Sequence, residues 1–590
     1  MMTNKEIARI LFEIGEYLEM QDVPFKPRAY ARVAEAVDSL QEEVGDIYAR
    51  GGLKALMEIP GVGVSIAEHI EELIKTGRLI YYEDLKKKTP VDLSTLTRVE
   101  GLGPRKIRAL YEKLKIKNLA DLEKAAKAGK IGKLDGFGAK SEENILKGIE
   151  FVKSSGGRFV LGFVTPEVRA IEERLKKLNG VERVDIVGSF RRRRETIGDI
   201  DVLIISSKPG PVMDYFVNMP EVVRVFAKGE TKSMVHLKNG MDADLRVVPR
   251  ESYGAALNYF TGSKDHNIAL RELAIKKGWK LNEYGLYRQM ANGLASTRRG
   301  EAGKWQIVAG KTEEEIYKKL GLDYIEPELR EMTGEIEAAR QSKLPGLIGY
   351  KDLKGDLQTQ TSWTDGGNTI EEMAEAAIKH GLEYIAITDH TKRLAMTHGL
   401  DSRRIVQQMK EIDKINLKLK TKNLKLRVLK GTECDILKDG TLDLSDEVLK
   451  QLDVVGVSVH SNFNLPREEQ TKRIVKAMKN PHADILFHPT GRMIQRREPY
   501  DVDMEEIIRV AKETGTVLEI DAYPDRLDLK DEYIRKCVKV GVKMSIDSDA
   551  HSIQHFSVLE FGIAQARRGW CEKKDIINAW PVGKTKTLLK

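Results

Sequence analysis

The chain has 590 residues, more than a single hydrophobic core usually serves, so we expect several domains. Its composition, 41% hydrophobic and 32% charged, excludes a disordered chain, and its net charge of +8 suits an anionic partner. Its three cysteines lack the spacing of a disulfide framework or a zinc cluster, and no apolar run approaches the ~18 residues of a membrane span, so we expect a cytoplasmic protein with no membrane contact.

The first 150 or so residues have helical periodicity and contain one short phrase three times. Each copy sets Gly-x-Gly between amphipathic segments, at Ile59–Ala67, Val99–Ile107 and, in weaker form, Leu134–Lys140. The glycines permit a tight turn, and the free N–H groups of the next helix then face a phosphate. We therefore predict two helix-hairpin-helix segments, 1–90 and 91–155, that hold the DNA backbone without reading its sequence. The DNA-binding glycines would be Gly61, Gly63, Gly101 and Gly103. The alternative is a set of ordinary Gly-rich turns between packed helices.

Beyond residue 150, predicted strands alternate with helices, and two carboxylates lie one residue apart on one of these strands. Asp199 and Asp201 point to the same face because side chains alternate along a strand. A second strand, Met241–Val248, offers Asp244 as a third carboxylate. Three carboxylates around hard cations, beside a Gly-Ser turn and an arginine cluster, predict a site that transfers phosphoryl groups. The alternative is a surface strand whose acids are only solvated.

This region, residues 156–252, resembles the nucleotidyltransferase palm of family X DNA polymerases. The matching Gly-Ser-x-Arg-Arg and Asp-x-Asp elements are Gly188, Ser189, Arg191, Arg192, Asp199 and Asp201. The resemblance implies that Asp199 and Asp201 bridge two Mg²⁺ (or Mn²⁺) ions, and that Asp244 completes the coordination of the second ion and accepts the proton of the primer hydroxyl. It also implies that Gly188, Ser189 and Arg192 belong to the substrate-binding site, where Ser189 and Arg192 neutralise the nucleotide triphosphate.

Residues 253–331 resemble the nucleotide-binding and thumb segment of polymerase beta and its relatives. The resemblance lies in Tyr-Phe-Thr-Gly-Ser at 259–263 and continues through 281–286 and 324–330. It implies that a sugar pocket is lined by Tyr259, Phe260 and Gly262. It also implies that Asn267 contacts the minor-groove edge of the nucleotide and that Arg271 contacts the template strand. Taken alone, an aromatic pair is more often part of a core.

A helix and a linker are predicted over 332–351, followed by a domain over 352–590. In that domain seven apolar strand candidates alternate with helix-like stretches, near 353–357, 384–388, 427–433, 454–459, 484–487, 517–520 and 542–546. This rhythm predicts a parallel α/β barrel with its site at the C-terminal ends of the strands. Imidazoles and carboxylates collect at those ends, and both are good ligands for Zn²⁺ or Mn²⁺.

The C-terminal domain resembles the polymerase and histidinol phosphatase (PHP) phosphoesterase domain, a distorted (β/α)7 barrel that binds up to three metals and cleaves phosphodiesters. The ligands that the resemblance implies are Asp365, His390, Glu433, His460, His488, Asp549 and His551. The family opens with Asp-Leu-His-x-His, but Gln358 and Gln360 stand at the two histidine positions. Because an amide oxygen is a weak ligand for such metals, at least one metal position should be weakened, and the barrel could instead be kept for structure or DNA contact.

A second departure concerns the N-terminal segment. Polymerase beta carries a lysine, just after its Pro-Gly-Val-Gly turn, that forms a Schiff base with abasic sugar phosphates. His69 stands at the matching place and cannot form an imine. We therefore do not expect lyase activity by that route, while Lys26 near Tyr30 leaves contact to a 5′-phosphate open.

Taken together, the sequence predicts a multidomain α+β and α/β protein: helical DNA-binding segments, a palm with an α/β thumb, and a PHP barrel. The resemblance implies a template-directed DNA polymerase of DNA repair that acts as a monomer on gapped or primer-template DNA and on dNTPs. The barrel would add 3′-5′ exonuclease or abasic-site endonuclease activity. The alternatives are a polymerase with a degenerate barrel, a template-independent nucleotidyltransferase, and a DNA-binding scaffold without catalysis.

Overall fold

The structure, a computed structural model, describes residues 2, 4–38, 40, 44–97, 99, 102–154, 158–239, 241–289 and 305–589. The chain divides into two compact units. The first contains residues 1–156 together with 493–498, and the second contains 157–492 and 499–590. In the described part of the chain, no helix is both long and apolar enough to cross a membrane.

The first unit is helical and is built around a core of aliphatic side chains, including Leu11, Ile70 and Ile107, which are fully buried. Amphipathic periodicity places these side chains on one face of each helix. Its helices are α1 Asn4–Met20, α2 Lys26–Asp38, α3 Val44–Leu56, α4 Val64–Thr76, α5 Ile80–Lys88, α6 Leu93–Leu96, α7 Pro104–Leu114, α8 Leu119–Lys127 and α9 Ala139–Ser154.

The second unit begins with a mixed sheet whose described strands run in the order β2-β4-β7-β6-β5. Its strands β4 and β7 are parallel neighbours; buried residues alternate along β7, whereas β4 is buried continuously from Val202 to Ile205. The elements are β1 Phe159–Val160, α10 Leu161–Lys176, β2 Val181–Ile186, α11 Gly188–Arg191, β3 Thr196–Ile197, β4 Asp199–Ser206, α12 Pro209–Val217, β5 Val222–Lys228, β6 Lys232–Leu237 and β7 Asp242–Val248.

The thumb combines helices with a small antiparallel sheet of order β10-β9-β8. Its elements are α13 Tyr253–Thr261, α14 Lys264–Lys276, β8 Trp279–Asn282, β9 Gly285–Gln289, β10 Trp305–Ala309 and α15 Glu313–Leu320. The stretch predicted as a linker contains α16 Glu335–Arg340 and is packed on both sides. Glu335 bonds the buried His266 at 2.8 Å, and the N–H of Ile348 donates to the carbonyl of Cys571 at 3.0 Å.

The seven predicted barrel strands are confirmed, and they form one parallel sheet in sequence order. They are β11 Gly355–Thr359, β12 Tyr384–Ile387, β13 Arg427–Asp435, β14 Val454–Ser458, β15 Ile485–Leu486, β16 Val517–Asp521 and β17 Met544–Asp547. The helices of this domain are α17 Ile370–Lys379, α18 Ser402–Thr421, α19 Asp446–Leu449, α20 Arg467–Met478, α21 Met504–Thr514, α22 Asp531–Val540, α23 Leu559–Arg568 and α24 Val582–Lys586.

Side chains nearly close the barrel between its first and last strands. The N–H of Leu357 donates to the carboxylate of Asp547 at 2.7 Å, and the N–H of Ser548 donates to Asp356 at 3.2 Å. At the strand ends a short backbone bridge continues this seam, where the N–H of Gln360 donates to the carbonyl of Ala550 at 2.8 Å. The C-terminal ends of all seven strands therefore face one common site.

Candidate functional site

The three predicted palm carboxylates lie on two adjacent parallel strands. Asp199 and Asp201 begin β4, and Asp244 lies on β7 directly opposite Asp201 in the register. Asp199 and Asp201 are two residues apart on one strand, and Asp244 is the neighbour of Asp201 on the next strand, so the three side chains share one face of the sheet. Asp199 is exposed, while Asp201 and Asp244 are half-buried.

The electrostatics of this face favour a bound cation. Burial, reinforced by the neighbouring charges of Asp199 and Asp244, raises the pKa of Asp201 to about 7. Burial also raises the pKa of Asp244. Carboxylate oxygens are the ligands that Mg²⁺ prefers, and a divalent ion would offset this concentration of negative charge. The residues present therefore fit a divalent metal.

Gly188 makes room for the central carboxylate. Its φ is +63°, and a Cβ atom at this position would lie 2.3 Å from Oδ2 of Asp201. The preceding residue, Val187, also donates its N–H to the carbonyl of Asp201 at 2.8 Å. The Gly-Ser turn thus sets the position of Asp201, and Ser189 follows in the first turn of α11, half-exposed.

The two arginines after this turn join the palm to the thumb. Arg191 forms a bidentate pair with Glu313, at 3.0 and 2.7 Å, so its role is structural. Arg192 donates to Glu331 at 3.0 Å and to the carbonyl of Thr261 at 2.5 Å. Its guanidinium therefore lies beside the end of α13, where the predicted nucleotide-binding segment begins.

The predicted nucleotide-binding residues form one continuous surface. Tyr259 is 37% exposed, and its ring meets that of Phe260 edge to face. The α13 helix ends at Gly262, which has a φ of +67° and would bring a Cβ within 3.2 Å of Arg192. Asn267 donates to the carbonyl of Tyr259 at 2.7 Å, and Arg271 donates to the carbonyl of Asn267 at 3.3 Å. Asn267 and Arg271 thus share one face of α14.

In the barrel, Glu433 is the point where the predicted ligands meet. His390 Nδ1 and His460 Nε2 each lie 3.1 Å from its oxygens, and His488 Nε2 lies 2.9 Å away. Burial would raise the pKa of Glu433, but His390 and His460 hold it well below its usual range. Burial likewise opposes protonation of His460, yet Glu433 raises its pKa to about 9. The carboxylate is therefore charged.

Two groups of barrel side chains have the geometry of metal sites. In each group the ligand atoms all lie within 4.8 Å of one another: Asp365, His390 and His551 in the first, and His390, Glu433 and His460 in the second. In the same search of the described residues, the three palm carboxylates do not form a group with this short spacing between ligand atoms. His390 belongs to both groups, with Nε2 3.7 Å from Asp365 and Nδ1 3.1 Å from Glu433.

A neutral imidazole has one lone pair for a metal, so His390 can serve only one of the two groups at a time. His551 donates its Nδ1 proton to the carbonyl of Asp549 at 2.8 Å, which directs its Nε2 toward Asp365 at 3.7 Å. The buried Nδ1 of His488 has no hydrogen-bond partner. Imidazole nitrogens combined with carboxylates fit Zn²⁺ or Mn²⁺.

The amide nitrogens of the two glutamines lie against buried carboxylates, and the buried Oε1 of Gln360 has no hydrogen-bond partner. Gln360 donates its amide to Glu433 at 3.0 Å, and the amide of Gln358, turned with its nitrogen toward Glu519, donates to that buried carboxylate. Asp549, predicted as a ligand, lies outside both metal groups and faces Arg526, with Nε 3.5 Å from its Oδ2. Sequence reasoning missed Glu519, which lies on the predicted strand 517–520, and Arg526, which lies in the loop that follows β16.

The helix-hairpin-helix turns lie in the first unit. Gly63 and Gly103 precede α4 and α7 in extended conformation and provide no side-chain cap. The N–H groups of the first turn, which in α7 come after Pro104, therefore remain available to a phosphate. Gly61 has a φ of +82° and is exposed. The third phrase has the same form, because Gly136 has a φ of +81° and α9 begins at Ala139. Gly101 lies outside the described residues.

His69, which stands in place of the lysine, lies in an aromatic environment. Its Nδ1 is 2.8 Å from the hydroxyl of Tyr30, and its ring stacks on Tyr81 with centroids 4.8 Å apart. Burial lowers the pKa of His69. Its side chain is thus held by packing and offers no amine.

Four family models match separate parts of the chain. Residues 2–79 match a helix-hairpin-helix domain, and residues 93–150 match a SAM-like helix-hairpin-helix tandem. Residues 256–331 match the DNA polymerase beta thumb, and residues 356–522 match a PHP domain. These matches follow the same order as the segments described above.

Similar proteins extend these matches. The DNA polymerase/3′-5′ exonuclease PolX of Bacillus subtilis (strain 168) is 37% identical over 592 residues, which covers 100% of both chains. A probable phosphatase of Thermoanaerobacter sp. (strain X514) is 31% identical over 252 residues, 40% of this chain and 96% of its own length. DNA polymerase lambda of Arabidopsis thaliana is 26% identical over 308 residues, 47% of this chain and 54% of its own.

The close approach of Gly188 to Asp201 generates a prediction. In Gly188→Ala, the new methyl group must displace the carboxylate or the turn, and a shift of about 1 Å at a reacting centre can cost ~100-fold in rate. We expect the rate of any metal-dependent phosphoryl transfer at the palm to fall by about that factor, measured by single-turnover kinetics.

Gly180→Ala is the matched control. Gly180 also has a positive φ, of +87°, but its Cβ would meet the flexible side chains of Ser207 and Lys208 at 3.2 Å. Both variants carry the backbone strain of a positive φ, about 1–2 kcal/mol, and Gly188→Ala adds the overlap with Asp201, so thermal unfolding should report a loss in both that is at least as large in Gly188→Ala. Equal rates in the two variants would show that Gly188 does not position Asp201.

Proposed function

The chain belongs to the family of DNA polymerase/3′-5′ exonuclease PolX, the family X DNA polymerases with a PHP domain, and on this premise we propose that it fills gaps in DNA by template-directed synthesis. The observation that carries the proposal is the parallel register of β4 and β7, which brings Asp199, Asp201 and Asp244 to one face beside the nucleotide-binding segment. The biological role that follows is DNA repair, including base excision repair.

The proposed roles of the palm residues follow from their positions. Asp199 and Asp201 hold the metal ions, Mg²⁺ or Mn²⁺, and Asp244 accepts the proton of the primer 3′-hydroxyl. Divalent ions bound there would activate that hydroxyl and neutralise the charge of the leaving pyrophosphate. Ser189 and Arg192 bind the triphosphate, which a guanidinium can contact through charge-assisted hydrogen bonds.

The proposed DNA and nucleotide contacts use the remaining predicted residues. Tyr259, Phe260 and Gly262 line the sugar pocket, Asn267 contacts the nucleotide in the minor groove, and Arg271 contacts the template. The alignment of Asn267 and Arg271 on α14 supports a template-directed reaction over a template-independent one. The DNA backbone is held at the helix-hairpin-helix turns, by the N–H groups that follow the Gly-x-Gly phrases.

A second activity is favoured by the two metal groups of the barrel. We propose that these groups, with Zn²⁺ or Mn²⁺, give the barrel 3′-5′ exonuclease activity. Asp365 and His551 would hold one ion and Glu433, His460 and His488 another, with His390 serving one of the two. The amide donors of Gln358 and Gln360 satisfy carboxylates that would otherwise be free to bind a third ion.

We also propose the following organisation. The helix-hairpin-helix segments are 1–90 and 91–155, the palm is 156–252, the thumb is 253–331, the connecting stretch is 332–351 and the barrel is 352–590. We expect a monomer that works in the cytoplasm on gapped or primer-template DNA with dNTPs as substrates.

The polymerase proposal predicts the effect of Asp244→Asn, which keeps the shape of the side chain and removes its charge. Loss of a metal ligand and proton acceptor should lower nucleotide addition by about 1,000-fold, the equivalent of ~4 kcal/mol. Primer extension on gapped DNA measures the rate, and a gel-shift assay should find DNA binding within about twofold of the wild type, since the contacts of the hairpin turns are unchanged.

Asp214→Asn is the control for this variant, because Asp214 is an exposed palm acid that pairs with Lys228 far along the sheet. It should extend primers like the wild type. Products that follow the template sequence support the proposal, whereas addition to single-stranded DNA without regard to a template favours a template-independent transferase. Continued extension by Asp244→Asn contradicts the assigned role.

The nuclease proposal predicts the effect of His460→Gln. Loss of one ligand of the Glu433 group should reduce degradation of 3′ ends by about 100-fold and leave primer extension unchanged. Even residues that only hold a metal ligand in place typically contribute 10–100-fold to metal affinity or activity, and a ligand itself should contribute no less. His380→Gln is the control, because His380 is an exposed histidine of the same domain that lies against Phe556. Equal exonuclease rates in wild type and His460→Gln contradict the proposal.

Restoring both histidines tests the amide donors directly. In the double variant Gln358→His, Gln360→His, two imidazoles replace groups that donate to Glu519 and Glu433, so one further ion should bind. Mass spectrometry of the native protein measures the metal content per chain. An unchanged metal content means that positions 358 and 360 do not offer ligands in this barrel.

A further inference from the structure

The barrel contacts the loop that carries the triphosphate-binding arginine. This loop, here called the arginine loop, contains residues 191–195, from the last residue of α11 to the residue before β3. It lies near the palm carboxylates, yet several of its hydrogen-bond partners belong to the PHP domain, about 300 to 380 residues further along the chain. These contacts place barrel side chains against the loop that carries Arg192.

The end of the arginine loop is held at Glu195. Arg492 forms a bidentate pair with its carboxylate, at 3.1 and 3.0 Å, and Gln565 of α23 donates to it at 3.1 Å. The Arg492 guanidinium also donates to the carbonyl of Leu527 and is buried. A bidentate, desolvated pair of this kind has a fixed geometry.

The middle of the loop is held by Arg568, the last residue of α23. Its side chain is only 2% exposed. Nη1 donates to the backbone carbonyl of Arg192 at 3.0 Å and to Glu331 at 3.1 Å, and Nη2 donates to Asp531 at 2.5 Å. One guanidinium thus contacts the backbone of Arg192 and the carboxylate that binds the side chain of Arg192.

Glu331 is shared between the two arginines. The same oxygen, Oε1, accepts from Arg192 Nε at 3.0 Å and from Arg568 Nη1 at 3.1 Å. Without Arg568, Glu331 would be left with Arg192 as its close partner and with Arg194 at 3.8 Å. A half-buried carboxylate would then hold Arg192 more tightly and oppose its turning toward a triphosphate.

We propose that Arg568 is a positioning residue for the polymerase reaction: it fixes the backbone of the arginine loop and shares Glu331, so that Arg192 remains available to the nucleotide triphosphate. Arg492 supports the same loop at Glu195. The inference rests on the polymerase function proposed above, and it assigns the barrel a role in nucleotide binding that is independent of nuclease activity.

Arg567 provides a matched control on the same helix. It also forms a buried ion pair across the domains, with Glu328 at 2.8 Å, and donates to the carbonyl of Ile348 at 2.9 Å, but it does not contact the arginine loop. If the barrel arginines only attach one domain to another, Arg567→Gln and Arg568→Gln should affect nucleotide addition alike.

The test compares Arg568→Gln, Arg568→Lys and Arg567→Gln in the full chain. Primer extension on gapped DNA gives KM for the dNTP and kcat, and thermal unfolding gives stability. We expect Arg568→Gln to raise KM about tenfold, the loss of roughly one charge-assisted hydrogen bond to the triphosphate, with kcat within about twofold. Arg568→Lys should recover part of this loss, and Arg567→Gln should be destabilised similarly while keeping the wild-type KM.

Titration of each protein with dTTP and Mg²⁺, followed by the shift in thermal unfolding, gives the nucleotide affinity without turnover. A wild type that binds dTTP but extends no primer contradicts the polymerase function, and the same titration still decides the role of Arg568. If Arg568→Gln does not fold, Glu195→Gln is the second variant and should weaken dTTP binding in the same direction. An unchanged KM and affinity in Arg568→Gln, or an equal rise in Arg567→Gln, overturns the inference.

Discussion

A carboxylate that leaves water needs a positive partner, because the cost of desolvating an isolated charge is several kcal/mol. The second unit of this chain places carboxylates out of water at each point that matters to its chemistry. Asp201 lies among like charges in the palm, Glu433 lies at the centre of the barrel, and Glu195 and Glu331 lie between palm and barrel. The kind of partner that each receives decides what that part of the molecule can do.

The three environments meet this requirement in different ways. Asp201 has its pKa raised by burial and by two neighbouring carboxylates, which leaves a place for divalent cations. Glu433 is surrounded by imidazoles and by the amide of Gln360, which divide its oxygens between ring nitrogens and an amide donor. Glu195 is paired with a guanidinium, which fixes geometry and leaves no room for a ligand. The first two arrangements suit catalysis, and the third suits the attachment and alignment of domains.

Local pattern was sufficient for much of the fold. The seven barrel strands were predicted from apolar runs of four to seven residues, and all seven are present, because strands buried on both faces leave that signature. The alternation of Asp199 and Asp201 predicted a shared face, and the register with Asp244 agrees. Gly188 was predicted as a substrate contact, but the structure adds a steric reason for glycine, since a Cβ would meet Asp201 at 2.3 Å. The stretch 332–351 was predicted as a linker, yet Glu335 and Ile348 are packed against thumb and barrel, contacts that composition does not encode.

The sequence by itself determined the residue types and their spacing: three carboxylates on two strands, imidazoles at strand ends, and Gly-x-Gly phrases before helices. These follow from periodicities of two and 3.6 residues, which are properties of neighbouring residues. The tertiary structure alone decided which atoms meet. It turned Gln358 and Gln360 into donors to Glu519 and Glu433, paired Asp549 with Arg526, and brought Arg568 to the carbonyl of Arg192. Such pairings join residues that are tens to hundreds of positions apart, and their geometry depends on how sheets and helices pack, which no local pattern records.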